Sequence, residues 1–337
     1  MGSDYLKIKL TEVQKAYLLG RNESFDGNIG THMYVELKFK GSIIKFERAL
    51  NKVIEKQPML RAKVDNINEF TILDNYVHNI KIHHEEKDKY EAKKLSIRQK
   101  LSHKHYSSDD FPFYNFQALT CDNENYTIFV SVDLLIADGL SLFKLLEQLK
   151  NEYFNLKSIE QDKAEELLYI NDRYFKEKIS DRYNKSKTYW SEKIKSLSES
   201  PQIIISENKI RESKFERKEY NFTEEELVKM EKISKEKGLS LSSILLTLYA
   251  GAIQEWSENK SFTINMTTFK RPKKSEYLEV IGDFTSTMLI ETKINKEKAL
   301  SETIMTICKS ANTLSAAAEA SLNIKQIEKR NIYFFKS

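Results

Sequence analysis

The stretch VSVDLLIADGLSLFKLLEQL, residues 130–149, decides the reading of this chain. Val130 and Val132 start it as a strand, and Leu142, Leu145, Leu146 and Leu149 end it as a helix with an i, i+3, i+4, i+7 apolar stripe. Between them stand two aspartates, Asp133 and Asp138, followed by Gly139 and Ser141. Carboxylates on a hydrophobic strand are costly to bury unless they are satisfied. The spacing Asp-x-x-x-x-Asp-x-x-Ser is a poor metal site, because Leu134, Leu135, Ile136 and Ala137 fill it and no third hard ligand is near. The residues alone leave two readings open. One is an acid/base site; the other is a helix-capping Asp138 beside an Asp133 satisfied by backbone amides.

Composition bounds the rest. The chain has 337 residues, with 40% hydrophobic and 31% charged. Single cores rarely grow past about 250–300 residues, so two lobes are expected. A net charge of +4, evenly spread, gives no argument for nucleic acid or an anionic membrane. Cys121 and Cys308 lack the spacing of a zinc or disulfide framework, which fits a reducing, cytoplasmic setting. No signal peptide or membrane span is read; the longest apolar patch, Ile244 to Ile253, is too short. Met1-Gly2-Ser3 is set aside from the fold argument.

Along the chain, Thr11-Glu12-Val13-Gln14 and Thr223-Glu224-Glu225-Glu226 read as capping boxes, and Gly238 as a helix stop. Val13, Ala16, Tyr17 and Gly20 share the first helix's predicted inner face. HMYVELKFKG alternates as a half-buried strand. Phe46, Leu50, Val53 and Ile54 mark a helix ended by Pro58, and LRAKV and EFTIL are short strands. Residues 90–104 read as a charged helix. FYNFQALT and YTIFVSVDLL form a hairpin across Cys121–Asn125. Residues 160–200 are helical, and the lobe boundary is placed in this segment, giving lobes 1–165 and 166–337. SLSSILLTLYAGAIQEW, apolar nearly all round, predicts a buried helix. SKFERKEYNF, SFTINMTTF and FTSTMLIETKI read as strands, residues 296–328 as helix, and NIYFFKS as the start of a strand. The irregular mixture predicts an α/β (α+β) protein.

Five blocks in order, LTEVQKAYLLGR (10–21), QPMLRAKV (57–64), DLLIADGLS (133–141), FTINMTTFKRP (262–272) and GDFTS (282–286), resemble the heterocyclization domain of nonribosomal peptide synthetases. That domain is a variant of the condensation domain, in which His-His-x-x-x-Asp-Gly gives way to Asp-x-x-x-x-Asp-x-x-Ser. The resemblance implies two chloramphenicol-acetyltransferase-like lobes in a V, with a tunnel entered from each mouth by a carrier's phosphopantetheine arm. It implies condensation of an acyl or peptidyl thioester with carrier-bound Cys, Ser or Thr, then cyclodehydration to a thiazoline or oxazoline. No metal and no directly bound cofactor are implied. The implied partners are upstream and downstream carrier domains and an adenylation domain, in siderophore or other secondary-metabolite synthesis.

Under that resemblance Asp133 and Asp138 are the candidate catalytic acids. Asp133 is read as substrate-side, its pKa raised by burial. Asp138 is read as paired with Arg271 from the second lobe, with Arg61 as a competing partner. Arg271, Arg61 and Gly139 count as structural; Ser141, Asp283, Thr285, Ser286 and Tyr17 as substrate-lining. Ser141 is also read as a cap of the following helix, Tyr17 as core packing, Arg21 as surface charge, and GDFTS as a Gly-Asp turn whose hydroxyls bond backbone. His83-His84 and His103 with His105 read as solvated charged ends. The family pattern continues past NIYFFKS, where its threonine is Lys336 here, so the second lobe is expected to be incomplete. A non-catalytic carrier-docking relative and a condensation-only acyltransferase stand as alternatives.

Overall fold

A computed structural model describes residues 5–21, 30–156, 158–203, 220–272 and 274–293. Its contacts divide the chain into two units: residues 1–175 with 269–285, and residues 176–268 with 286–337.

The first unit starts with β1 (Leu6–Lys9) and α1 (Glu12–Gly20), the latter held by the expected Thr11/Gln14 capping box. On α1 the buried side chains are Gln14 and Tyr17. Val13 packs against the core as expected, partly buried, while Gln14 joins the buried face because its amide donates to the Leu135 carbonyl at 2.8 Å. β2 (His32–Lys40) and α2 (Ile43–Lys56) follow, and Gln57-Pro58 ends the helix. β3 (Ala62–Asn66) and β4 (Glu69–Ile72) pair antiparallel, with β1 on the other side of β4. After β5 (Lys81–His84) and α3 (Tyr90–Ser102) come β6 (Tyr114–Thr120) and β7 (Asn125–Asp133), the predicted hairpin. Its turn is tied by Asp122, whose carboxylate accepts from the backbone N–H groups of Glu124 and Asn125. The sheet order is β2-β7-β6-β5, with β5 parallel to β6.

α4 (Gly139–Phe154) covers one face of that sheet together with α2. Ile128, Val130 and Val132 join their core, while Phe129 on the alternate face packs with Ile97 and Leu101 of α3. Asp133, on the same side of β7 as Phe129 and Ser131, therefore points away from the α2/α4 core. α5 (Ala164–Glu177) sends Leu167 and Ile170 into the first core, so the division falls ten residues beyond the expected 165.

The second unit holds α6 (Asp181–Lys193), α7 (Glu224–Lys237), α8 (Leu241–Trp256) and β8 (Ser261–Phe269). The Thr223/Glu226 capping box and a left-handed Gly238 (φ 61°) bound α7 as expected. The short α9 (Ser275–Leu278) lies in the segment that returns to the first unit, where Tyr277, Val280 and Ile281 enter the core. β9 (Thr285–Lys293) pairs with β8. α8 is not buried all round: Ile244, Thr247 and Ala250 face inward, while Leu248, Tyr249 and Trp256 are exposed. Most of SKFERKEYNF, the predicted 296–328 helix, NIYFFKS and Cys308 lie outside the described residues. Among the described residues no helix is long and apolar enough to cross a membrane.

Candidate active site

β7 delivers Asp133 at its last position, opposite His32 of β2. The carboxylate is fully buried, accepts from the Leu135 N–H at 2.7 Å through Oδ1, and forms an ion pair with Arg21 through the same oxygen. Arg21 also donates to the Tyr106 carbonyl at 3.1 Å. Burial pushes Asp133 up to about 6, and the Arg21 guanidinium opposes that rise. Near neutral pH the group is thus a carboxylate locked to a cation. Its Oδ2 is enclosed without a hydrogen-bond partner. The expected substrate-facing Asp133 is met by an acid with no exposed surface, and the expected surface Arg21 is 7% exposed. The cause is the pleat: the odd-numbered side of β7 ends against Tyr106 and Arg21.

Asp138 caps α4, its Oδ1 accepting from the Ser141 N–H at 2.7 Å. Its Oδ2 accepts from Phe284 N–H at 3.3 Å, and its own N–H donates to the Gly282 carbonyl at 3.1 Å. Arg271 lies 3.4 Å from Asp138 Oδ1 and 2.8 Å from the Ser141 hydroxyl, and it donates to the carbonyls of Tyr277 and Val280. Ser141 Oγ in turn donates to the Gly282 carbonyl at 2.7 Å and accepts from its N–H at 3.1 Å. One hydroxyl thus uses its proton and both lone pairs. Burial lowers the Arg271 pKa, and Asp138 counters this.

Arg271 reaches Asp138 from a segment that belongs to the first unit, since Tyr277, Val280 and Ile281 anchor that segment in the first core. Ser141 is not the helix cap; Asp138 is. Arg61 does not compete for Asp138. It is buried, donates to the carbonyls of Ile54, Glu55, Leu73 and Asp74, and pairs with Asp162 at 2.8 Å. At Gly139 an added Cβ would meet nothing within 4 Å, so no steric demand fixes a glycine there. At Gly282 an added Cβ would lie 2.7 Å from the Phe284 ring, and that ring in turn lies 4.2 Å from the Arg271 guanidinium.

Asp283 is buried, with Oδ1 accepting from Thr285 N–H at 3.0 Å and Oδ2 unpartnered. Burial pushes it up to about 7, and the hydrogen bonds from Thr285 oppose the rise. The Tyr17 hydroxyl lies beside the Thr285 side chain, and burial, with the Asp283 charge, raises its pKa. Asp283, Thr285, Thr11, Gln14, Met59 and Phe284 line one cleft with α5. Ser286 falls in the second unit, where its carbonyl accepts from Thr268. His83 bonds Gln117 on the edge strand β5, and His84 and His103 are exposed.

Residues that no hydrophobic pattern marks hold the returning segment. Gln57 donates to the Glu279 carbonyl and accepts from Ile281 N–H, and Gln148 donates to the same Glu279 carbonyl. Lys144 pairs with the Glu279 carboxylate at 2.9 Å. In sequence, only Gln148 among the apolar positions of α4 and Gln57 at the Pro58 helix stop signal this. Among the described residues no group of three or more His, Cys, Asp or Glu is placed to hold a metal.

This α/β, acetyltransferase-like architecture is shared with solved synthetase domains. The EpoB cyclization-docking bidomain from Sorangium cellulosum superposes with a TM-score of 0.85 at 24% identity, over 96% of this chain and 67% of that one. FmoA3, another nonribosomal peptide synthetase, gives a TM-score of 0.80 at 19% identity, over 97% and 34%. The condensation-domain family model matches residues 6–328. The chain belongs to the condensation-domain family. Bacitracin synthase 1 of Bacillus licheniformis is 28% identical over 298 residues, 84% of this chain and 6% of that protein. Pyochelin synthetase PchF of Pseudomonas aeruginosa (strain UCBPP-PA14) is 25% identical over 294 residues, 84% and 16%. Phenyloxazoline synthase MbtB of Mycobacterium sp. (strain MCS) is 24% identical over 295 residues, 84% and 24%. The chain thus spans a quarter or less of these relatives.

Proposed function

We infer that this chain acts as a heterocyclization domain. It would join a carrier-borne acyl or peptidyl thioester to a carrier-borne Cys, Ser or Thr and then close the ring. In the first step the amine attacks the thioester carbonyl, a C–N bond forms, and the thiol leaves. In the second, the side-chain thiol or hydroxyl adds to the new amide carbonyl, and loss of one water gives thiazoline or oxazoline. The carriers' phosphopantetheine arms would bring both substrates, and an adenylation domain would load the acceptor.

One observation carries this reading: the Asp133–Ser141 turn, in the spacing Asp-x-x-x-x-Asp-x-x-Ser, is knotted to Arg271 and to the Gly282-Asp283-Phe284 block. Three of the five sequence blocks that resemble heterocyclization domains thus meet in one local structure. Relatives named as a phenyloxazoline synthase and a cyclization bidomain support the same reading.

The test supplies an acyl-loaded donor carrier and a Cys-loaded acceptor carrier and weighs the product. Acyl transfer with loss of one water is expected. Transfer without water loss makes the chain a condensation-only acyltransferase. Carrier binding with no product makes it a docking relative, and no carrier binding overturns the reading.

A further inference from the structure

The cleft beside α1 and α5 has an apolar wall of Ile8, Met59, Leu167, Ile170 and Phe284. Its polar groups are mostly committed. Thr11 Oγ1 accepts from Gln14 N–H, Gln14 donates to the Leu135 carbonyl, and Asn171 donates to the Lys9 carbonyl. Among the described residues lining it, Asp283 alone carries a buried side-chain oxygen without a partner. Its other oxygen accepts from the Thr285 N–H at 3.0 Å, and the half-buried Thr285 side chain shares the wall, close to the carboxyl and to the Tyr17 hydroxyl. An apolar cleft with one such acidic contact suits a ligand with an apolar body and one cationic or N–H donor head.

We propose that this cleft seats the α-amine of the carrier-borne acceptor amino acid, and that Asp283, through the Thr285 hydroxyl, takes the amine's proton before attack. This rests on the heterocyclization reading. The ammonium gives a proton to Thr285 Oγ1 as that hydroxyl passes its own to Asp283. The freed amine attacks the thioester carbonyl, the C–N bond forms, and the C–S bond breaks. The second nitrogen proton goes to the departing thiolate, and Asp283 returns its proton to water. Asp138, Asp133 and Tyr17 surround Asp283 electrostatically, with Arg271 and the cleft-lining Lys270 as the nearby cations. With a raised pKa of about 7, the acid is suited to proton transfer near neutral pH.

The experiment measures amide formation on carriers against pH for wild type, Asp283→Asn, Thr285→Val and Thr285→Ser, with thermal melts of each. In parallel, L-cysteine methyl ester is titrated onto each protein, with amide and Asp carboxyl signals followed by NMR. Asp283→Asn and Thr285→Val should slow amide formation about 10²–10⁴-fold. Asp283→Asn should also erase the acidic limb of the pH profile, while Thr285→Ser stays within severalfold of wild type. The ester should perturb Asp283 and Thr285 in wild type only when Asp283 is ionised. An unchanged pH profile in Asp283→Asn, or wild-type rates in Thr285→Val, overturns the proposal and leaves the heterocyclization reading intact. A wild type inactive on carriers but binding the ester through Asp283 overturns that reading and keeps the amine seat. Should Asp283→Asn fail to fold, the Thr285→Val against Thr285→Ser comparison decides.

Discussion

The Arg271 guanidinium lies 2.8 Å from the Ser141 hydroxyl and 3.4 Å from the nearer Asp138 oxygen. The serine, not the acid, makes the tighter bond, and the same hydroxyl holds both backbone groups of Gly282. Ser141→Ala leaves the Gly282 N–H without its partner and takes one of two from the Gly282 carbonyl and the tighter contact from Arg271. The expected loss is about 1–3 kcal/mol, read as a lower denaturant midpoint with an unchanged slope. A midpoint equal to wild type would mean that water takes over the hydroxyl's bonds.

Arg21 and Asp133 form a buried ion pair, 4% and 0% exposed at their side chains. Arg21→Met strands an acid in the interior and should cost about 3–5 kcal/mol. Arg21→Met with Asp133→Leu removes both charges and should recover most of that loss in equilibrium unfolding. If the double variant is as unstable as the single one, the pair does more than balance its own charges.

His78 is buried among Tyr76, Tyr114 and Phe116, and burial lowers its pKa from 6.5 to about 4. Below pH 6.5 the unfolded chain takes up a proton that the folded chain refuses until about pH 4. Stability should fall as pH drops through that window, by up to roughly 3 kcal/mol from this group. His78→Phe should flatten that part of the urea-midpoint profile; an equally steep profile would assign the loss to other groups.

Asp283 has the opposite slope. Burial raises its pKa from 3.8 to about 7. The unfolded chain therefore releases its proton first, and this group's contribution declines as pH rises from about 4 to 7. Asp283→Asn should gain stability relative to wild type across that window, by up to roughly 4 kcal/mol at pH 8. A constant difference between the two proteins from pH 4 to 8 would show that Asp283 is ionised throughout.

Local signals in the sequence carry much of this fold. The β6–β7 hairpin follows from two apolar runs around a turn held by Asp122, both capping boxes form, and α4 buries Leu142, Leu145 and Leu149. The Asp138–Arg271 tie, taken from the family resemblance, is present. What escapes reading depends on partners far along the chain. Arg21 meets Asp133 across 112 positions, and nothing local separates it from a surface charge. Ser141 is legible as a helix-start residue, but its bonds to Gly282 span 141 positions. α8 is uniformly apolar, and periodicity alone does not say which face turns outward. The segment 269–285 joins the first unit through Gln57, just past α2, and Gln148 of α4, which no hydrophobic pattern marks.

Asp138, the second motif acid, clamps the Asp133–Ser141 turn to the returning segment. A double-mutant cycle measures this clamp, comparing Asp138→Ala, Arg271→Ala and the pair by urea unfolding. Coupling of about 1–3 kcal/mol is predicted, as for residues in one buried network. Additivity to within about 0.5 kcal/mol would contradict the clamp.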